Sequence, residues 1–360
     1  MTRIALFSGD ISRTGGTERV SLFLADNFIK QGYEVLIISL SGSSIPVFNT
    51  NSKIKTISLF KRKWNFSILF FLVVYKLRNF IRNEKIDILI DVDTILSLYS
   101  ALSLFGLNVK HISWEHFNYQ IDFNMIKRRL ARKIAAKYAD CVVTLTERDR
   151  DFWINNSGYP DKIVSIPNPL PFKALSQCEK KDTKTILALG RLSHQKGFDL
   201  LIDIWAKIEK VNDSWKLIIA GDGEEYAFLS HKITELKLSN IKIIPSTLNV
   251  NDLYNESCIY VMTSRFEGFP MVLLEAKAFG LPIVAYDCNT GPAEMICDNE
   301  DGFLILYGDD NEFVEKLLLL MNDSELRESM SAKSLDSSKY YIMESSIQGK
   351  WDKILENNNI

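Results

Sequence analysis

Short apolar runs alternate with amphipathic stretches along nearly the whole chain. RIALFSGD near the start and YEVLIISL soon after are continuous apolar runs, the pattern of strands buried on both faces. Between them, TERVSLFLADNFIKQG places Val20, Phe23, Leu24 and Phe28 at helical spacing and ends on Gly32, a helix-closing residue. KIDILIDV, KHISWEH and DCVVTLT continue the strands, with helical stretches between them. This alternation predicts a parallel sheet covered on both faces.

The rhythm breaks at 167–184, PNPLPFKALSQCEKKDTK, whose proline and lysine content reads as a linker. It resumes with TILALG, FDLLIDIWAKIEK, WKLIIAG and a helix through EYAFLSHKITEL. NIKIIPS, NVNDLYNES, CIYVMTS and LPIVAYD complete the second series. The fold class is therefore α/β, with two doubly wound units in tandem: 1–170, a linker over 171–183, and 184–339. In such sheets ligands sit at the carboxyl ends of the strands, and a two-domain chain offers the cleft between its domains.

SRFEGFPMVLLEAKAFG, residues 264–280, departs from the simple pattern. Glu267 precedes a Gly-Phe-Pro step, and Glu275 follows inside an otherwise apolar run. Proline suits the first turn of a helix, where its missing N–H has no intrahelical partner to lose. A helix is predicted to start near Pro270, with Glu267 in the loop before it. Glu275 then lies a turn and a half inside, and a glutamate there needs a reason.

At 360 residues the chain exceeds the usual single-core limit, in keeping with two domains. Hydrophobic residues at 46% and charged residues at 24% describe a soluble globular protein. The five cysteines, at 141, 178, 258, 288 and 297, form no C-x-x-C pair. That argues for a reducing compartment and against a zinc or disulfide framework. The start, MTRIALFSGD, reaches a turn too soon for a signal peptide, so the expected location is cytoplasmic.

The net charge of −2 hides a division. Residues 1–175 hold 24 Lys and Arg against 15 Asp and Glu, and the remainder 19 against 30. The basic half includes KRKWNFSILFFLVVYKLRNFIRNEK (61–85) and IKRRLARKIAAK (126–137). Its apolar core, Phe66 to Tyr75, is about half the ~20 residues a spanning helix needs. Two readings stand: a core helix with a solvated basic flank, or a basic face resting on an anionic membrane surface. The second uses Lys61, Arg62, Lys63, Arg128, Arg129 and Arg132, and brings lipid-linked substrates within reach.

Several loops at strand ends carry candidate chemistry. GRLSHQKG (190–197) sets Arg191 and Lys196 between a strand and a helix, a cation pair suited to a diphosphate. SRTGGTERV (12–20) sets Gly15 and Gly16 just before the first helix, whose free N–H groups a phosphate could approach, without the G-x-G-x-x-G spacing of a dinucleotide fingerprint. DVD (91–93) could pass for a metal-binding D-x-D, but it ends a strand of a doubly wound domain and is read as structural. SWEHF (113–117) puts His116 at a strand end, facing the expected cleft, whereas His111 opens the same strand. NTGPAEMI (289–296) could present amides to an anion, or simply turn.

Taken together and in order, GRLSHQKGFDLLI, LIIAGDGEE and SRFEGFPMVLLEAKAFGLPIV resemble glycosyltransferase family 4. These are retaining enzymes of the GT-B fold, two Rossmann-like domains facing across a cleft. The chain is similar to bacterial capsule, O-antigen and exopolysaccharide sugar transferases among them. Glu267 and Glu275 form the E-x7-E signature, and the resemblance runs through nearly the whole chain. It implies that Glu275 binds the ribose hydroxyls of a nucleotide sugar and Glu267 the donor sugar. Phe269, Met271 and Val272 would offer amides, and Arg191 and Lys196 would grip the diphosphate with Gly16 against it. His116 would lie near the anomeric centre, and the backbone around Pro245 would read the base. The helix ESSIQGKWDKILEN, within 340–360, would cross back onto the N-terminal domain.

The implied reaction moves a hexose or N-acetylhexosamine from a nucleotide sugar, preferably a UDP-sugar, to a glycan hydroxyl. The acceptor would be polyprenyl-diphosphate-linked and the enzyme peripheral on the inner face of the cell membrane. Arg191, Lys196 and helix amides would stabilise the departing diphosphate, with no metal and no cofactor required. The diphosphate oxygen would serve as base, and no carboxylate is assigned as a covalent nucleophile. Two other classes stay open: a nucleotide-sugar epimerase of the same fold, and a non-catalytic sugar-nucleotide-binding partner. Intact Arg191, Lys196, Glu267 and Glu275 argue against the second, and no nucleic-acid partner is expected.

Overall fold

The computed structural model describes residues 1–62, 64, 68–122, 124–171, 183–247 and 249–356. Most of the expected linker, together with Lys63, Phe66, Cys178 and the last four positions of the closing helix, lies outside the described residues. The chain divides into two compact units, Met1–Pro171 with Ile347–Ile360, and Phe172–Ser346.

In the first unit the described residues form seven strands. They are β1 (Arg3–Ser8), β2 (Glu34–Ser39), β3 (Lys55–Ser58), β4 (Ile88–Val92), β5 (Lys110–Trp114), β6 (Cys141–Thr144) and β7 (Ile163–Ser165). Their order is β3-β2-β1-β4-β5-β6-β7, and every neighbouring pair is parallel. Ile4, Ala5, Leu6 and Phe7 of β1 are fully buried, as a central strand with both faces covered requires. The edge strand β3 contains one aliphatic residue, Ile57, and is only partly buried.

The helices of this unit are α1 (Gly16–Lys30), α2 (Phe70–Asn83), α3 (Ser97–Ser103), α4 (Ile126–Tyr138) and α5 (Glu147–Ser157). Val20, Leu24 and Phe28 of α1 are buried at i, i+4 and i+8, and Phe23 is half-buried at the edge of that stripe. Gln31 caps the helix, and Gly32 follows at φ +95°, a conformation costly for other residues. Right-handed crossovers place α2, α3 and α4 together on the sheet face opposite α1.

The second unit repeats the plan with β8 (Thr185–Leu189), β9 (Lys216–Ala220), β10 (Ile241–Ile244), β11 (Ile259–Met262), β12 (Ile283–Asp287) and β13 (Gly302–Leu306). The order is β10-β9-β8-β11-β12-β13, again all parallel. Its helices are α6 (Phe198–Ile208), α7 (Tyr226–Glu235), α8 (Val250–Asn255), α9 (Met271–Ala278), α10 (Pro292–Met295), α11 (Asp310–Asn322) and α12 (Ser324–Ser338). On α6, Phe198, Leu201, Ile202, Trp205 and Ile208 form the buried stripe against the sheet. Asp309 and Asp323 cap α11 and α12, accepting the Glu312 and Leu326 amides at 2.9 Å each.

The last helix, α13 (Gln348–Glu356), belongs to the first unit. Trp351 meets Phe28 and Trp114 edge-on, at 5.8 and 5.4 Å between ring centroids. Gln31 donates to Asp352 at 2.8 Å, which fixes the helix beside the end of α1.

Candidate functional site

In the second sheet the chain direction along the sheet reverses between β8 and β11. The loops leaving these strands diverge there, and such a switch point is where doubly wound folds bind ligands. Both conspicuous loops of the sequence meet at it. Gly197 sits at φ +64°, and a Cβ on it would lie 2.1 Å from the Thr263 carbonyl oxygen. Thr263 Oγ1 donates to the Gly197 carbonyl at 2.9 Å, drawing the two loops together. The glycine of LIIAGDGEE has a similar reason: a Cβ on Gly221 would meet the Gly190 carbonyl at 1.8 Å.

Arg265 fixes the register of this junction. Its guanidinium forks onto Asp199 at 2.8 and 2.7 Å, and Nη1 also reaches the His194 carbonyl at 2.8 Å. Burial alone would raise the Asp199 carboxyl, but the hydrogen bonds and charge of Arg265 outweigh it and hold it below the usual range. Gln195 ties across by donating to the Phe266 carbonyl at 3.1 Å.

With the loops so held, Lys196 Nζ lies 2.6 Å from Glu267 Oε1, and Ser264 Oγ donates to the same oxygen at 2.7 Å. Thr290, from the NTGPAEMI loop, donates to the Glu267 carbonyl at 2.5 Å. Glu267 is 6% exposed, so its charge is both desolvated and paired. Cys288 beside it is chemically quiet, its thiol pushed up to about 12 by burial and then by the Glu267 charge. The helix α9 begins at Met271 with Pro270 as its cap and no side chain over its end. Phe269 is buried just before that cap, while Met271 and Val272 are half-buried in the first turn.

Glu275 is buried on α9, and Tyr254 Oη donates to its Oε2 at 3.0 Å. Lys277, two residues on, was not singled out by its sequence, yet it is 1% exposed and pairs with Asp301 at 2.8 Å. A second charge in the same apolar run was the available signal. Arg191 stands apart from Lys196 in its contacts: its exposed guanidinium pairs with Glu224 at 2.9 Å. Pro245 is exposed, and the next amide, of Ser246, donates to Asp222 at 3.2 Å.

The remaining expected site residues lie in the first unit. Gly15 caps α1 and Gly16 opens it. The amides there are not all free, because the Glu18 carboxylate accepts from the Gly15 and Glu18 N–H groups, and burial pushes that carboxyl up. His116 follows β5 at its carboxyl end, 9% exposed, with its ring 4.2 Å from that of Trp114. Its Nε2 is buried without a hydrogen-bond partner. Burial lowers its pKa from 6.5 to about 4, with Asp93 opposing, so the ring is neutral near pH 7.

That shift has a measurable consequence. Between about pH 6.5 and about 4 the unfolded histidine binds a proton that the folded one does not, so stability falls as the pH is lowered through this window. The loss should approach about 3 kcal/mol and be abolished in His116→Gln. Imidazole proton NMR checks it directly: a His116 midpoint near that of a free histidine would refute the buried, unpartnered ring.

Two expectations about charge resolve differently. Asp91 is fully buried and accepts from Ser97 and Ser100 at 2.7 and 2.6 Å, with His111 Nε2 at 2.7 Å. Asp93 faces both guanidinium nitrogens of Arg128 at 3.0 Å. The DVD segment is thus engaged by protein groups, and among the described residues no cluster of three or more His, Cys, Asp or Glu could hold a metal ion. The basic face needs correction: Arg128 and Arg132 are 5% and 3% exposed and point inward to Asp93 and Glu115. Lys61, Arg62 and Arg129 are exposed, as expected.

Comparison with known proteins fits this geometry. Residues 14–172 match Glycosyltransferase Family 4, and residues 175–336 match Glycosyl transferases group 1. An uncharacterized glycosyltransferase of Haemophilus influenzae is 38% identical across 99% of this chain and 100% of its own. The chain is a family 4 glycosyltransferase. The amylovoran biosynthesis glycosyltransferase AmsD of Erwinia amylovora is 32% identical over 99% of this chain and 100% of its own. A Campylobacter jejuni α-1,4-N-acetyl-D-galactosaminyltransferase, named for a diphospho-undecaprenol-linked glycan, is 26% identical over 95% of each chain. Among solved structures, Anabaena HepE in complex with UDP-glucose superposes with a TM-score of 0.81 at 18% identity, covering 98% of this chain and 100% of that one. The two parallel-sheet units of this glycosyltransferase are those of the GT-B fold.

Proposed function

We propose that the protein transfers a hexose or N-acetylhexosamine from a UDP-sugar, with retention, to a hydroxyl of a polyprenyl-diphosphate-linked glycan during synthesis of a bacterial surface polysaccharide. The observation that carries this is the Lys196–Glu267 pair, held at the switch point of the second sheet beside the uncapped start of α9. The names of AmsD and of the Campylobacter transferase support the polysaccharide and the lipid-linked acceptor, and HepE supports the uracil nucleotide. Protein and acceptor would meet at the inner face of the cell membrane.

Charge accounts for the roles. Breaking the bond between the anomeric carbon and phosphate leaves extra negative charge on the nucleoside diphosphate. Lys196, Arg191 and the first-turn amides of α9 answer that charge, and Glu267 positions the sugar. Arg191 is free to swing to the diphosphate, since an exposed, solvent-screened pair such as Arg191–Glu224 holds it only weakly. Glu275 takes the ribose hydroxyls with its position set by Tyr254. Neutral His116 has an open ring nitrogen for a sugar hydroxyl. The departing phosphate oxygen takes the acceptor proton, on the face that the leaving group vacates.

Incubation with a panel of UDP- and GDP-sugars, with and without a polyprenyl-diphosphate glycan, tests the reading. Transfer from a UDP-sugar should require the lipid-linked glycan, give an α-linkage from an α-donor by NMR, and persist in EDTA within a small factor. Epimerised free nucleotide sugar without transfer, or activity lost in EDTA and restored by Mn²⁺, would overturn it.

A further inference from the structure

His116 is held differently from Glu267 and Glu275. Its ring Nε2 has no hydrogen-bond partner, so packing sets where that nitrogen points. Side chains alternate between the two faces of a sheet along a strand and its immediate extension. Glu115 points to Arg128 and Arg132 of α4. By the same alternation Trp114 and His116 share the other side, and their rings stand 4.2 Å apart.

That other side is closed by α13. Ile347, Trp351, Ile354 and Leu355 are buried at i, i+4, i+7 and i+8, a stripe of helical period. Trp351 meets Trp114 edge-on, with 5.4 Å between centroids and 83° between planes. Its neighbours on either side fasten the helix: Lys350 Nζ donates to the Ser165 carbonyl at 3.4 Å, and Asp352 accepts from Gln31 at 2.8 Å. Filling the core does not require two indoles here. Trp114 and Trp351 are each 1% exposed, and neither Nε1–H finds an acceptor. A buried donor without a partner costs stability that a phenyl or aliphatic side chain would not. What the indoles supply is breadth, a row of touching rings from α13 to the histidine with the open nitrogen.

We propose that Trp351 is a positioning residue, seating the His116 ring through Trp114 and keeping water from it. The inference rests on the reading of His116 as a sugar contact, and it adds that α13 serves the chemistry as well as the fold. Asp93 is the charge that acts on the ring, and it opposes the lowering that burial causes. Loss of the Trp351 ring admits water beside Trp114, which lets His116 titrate closer to a free histidine and leaves its Nε2 loosely aimed. Trp351→Phe keeps an edge-on ring against Trp114, whereas Trp351→Leu does not.

Imidazole proton NMR of the substrate-free full chain reads the seat directly, with the His116 signal assigned by its loss in His116→Gln. Trp351→Leu should raise the midpoint by about one pH unit or more. It should lower kcat about tenfold and leave KM for the UDP-sugar within about twofold. Trp351→Phe should return both midpoint and kcat to near the parent values. Trp351→Met carries the same expectation as the leucine variant should that one not fold. Leu77→Ala, a core change on α2 in the same unit, controls for lost stability and should move neither quantity. Trp114→Leu should raise the midpoint by itself, and adding Trp351→Leu should raise it little further, since the two act in series. An unmoved midpoint in Trp351→Leu and Trp351→Met, or an equal shift in Leu77→Ala, would reduce Trp351 to core filling and overturn the proposal. A parent-like rate in His116→Gln, with the Trp351 shift intact, would strike the role of His116 in transfer and leave the seating of its ring standing.

Discussion

Lys196→Ala is expected to lower turnover by about 10²–10³-fold, the usual loss when one donor to a developing oxyanion is removed. The same change leaves Glu267 a desolvated carboxylate, 6% exposed, with Ser264 as its remaining side-chain partner. A stability loss of about 1–3 kcal/mol should accompany it. Stability and chemistry can be separated, because Glu267→Gln in the same chain removes the orphaned charge. The double variant should recover its melting temperature without recovering turnover. Arg191→Ala, at a largely exposed position, should lower turnover while leaving the melting temperature unchanged. Turnover within tenfold of the parent in Lys196→Ala, or its return in the double variant, would remove Lys196 from the chemistry.

Much of this site is legible in the sequence because its parts are local. The loop GRLSHQKG and the step EGFPM lie next to strand and helix ends, and alternation of apolar runs locates those ends. LIIAGDGEE enters the sequence reading only through the resemblance, and the close approach of Gly221 to the Gly190 carbonyl emerges only in three dimensions. What periodicity does not show is which charges fold inward. Arg128 and Arg132 sit in a run that looks like a solvated face, and charged residues are mostly exposed by default. Their acidic partners lie 35 and 17 residues earlier, on other elements, so no helical spacing links them. Short strands escape for a different reason. The four residues of β3 have one aliphatic among them, too few for a period of two to register.

Arg132→Met is expected to destabilise the first unit by about 3–5 kcal/mol, the range for breaking a buried ion pair from one side. Arg132 Nε meets Glu115 Oε2 at 3.2 Å, and its Nη2 donates to the carbonyls of Asn118 and Ile121 at 2.8 and 2.9 Å. Nη1 donates to the Tyr119 carbonyl as well. Without the guanidinium these carbonyls lose that donor, the Asn118 carbonyl keeping the Ile121 amide at 3.0 Å, and Glu115, fully buried, keeps Arg128 at 3.5 Å and the Phe117 amide at 3.0 Å. Burial already pushes the Glu115 carboxyl up against the pull of Arg132, so the variant should take up a proton there. Since a whole domain is stable by only about 5–15 kcal/mol, the loss should be plain in a denaturant titration. Arg129→Met is the matched control three residues away, with an exposed guanidinium paired to Asp122 at 2.8 Å and an expected cost below about 1 kcal/mol. Glu115→Gln combined with Arg132→Met should cost little more than Arg132→Met alone, because the two share one interaction. Equal, small effects of the Arg132 and Arg129 changes would mean that Arg132 is solvated after all. The same segment, 115–121, holds His116, so a loosened Arg132 clamp should also lower turnover at saturating donor.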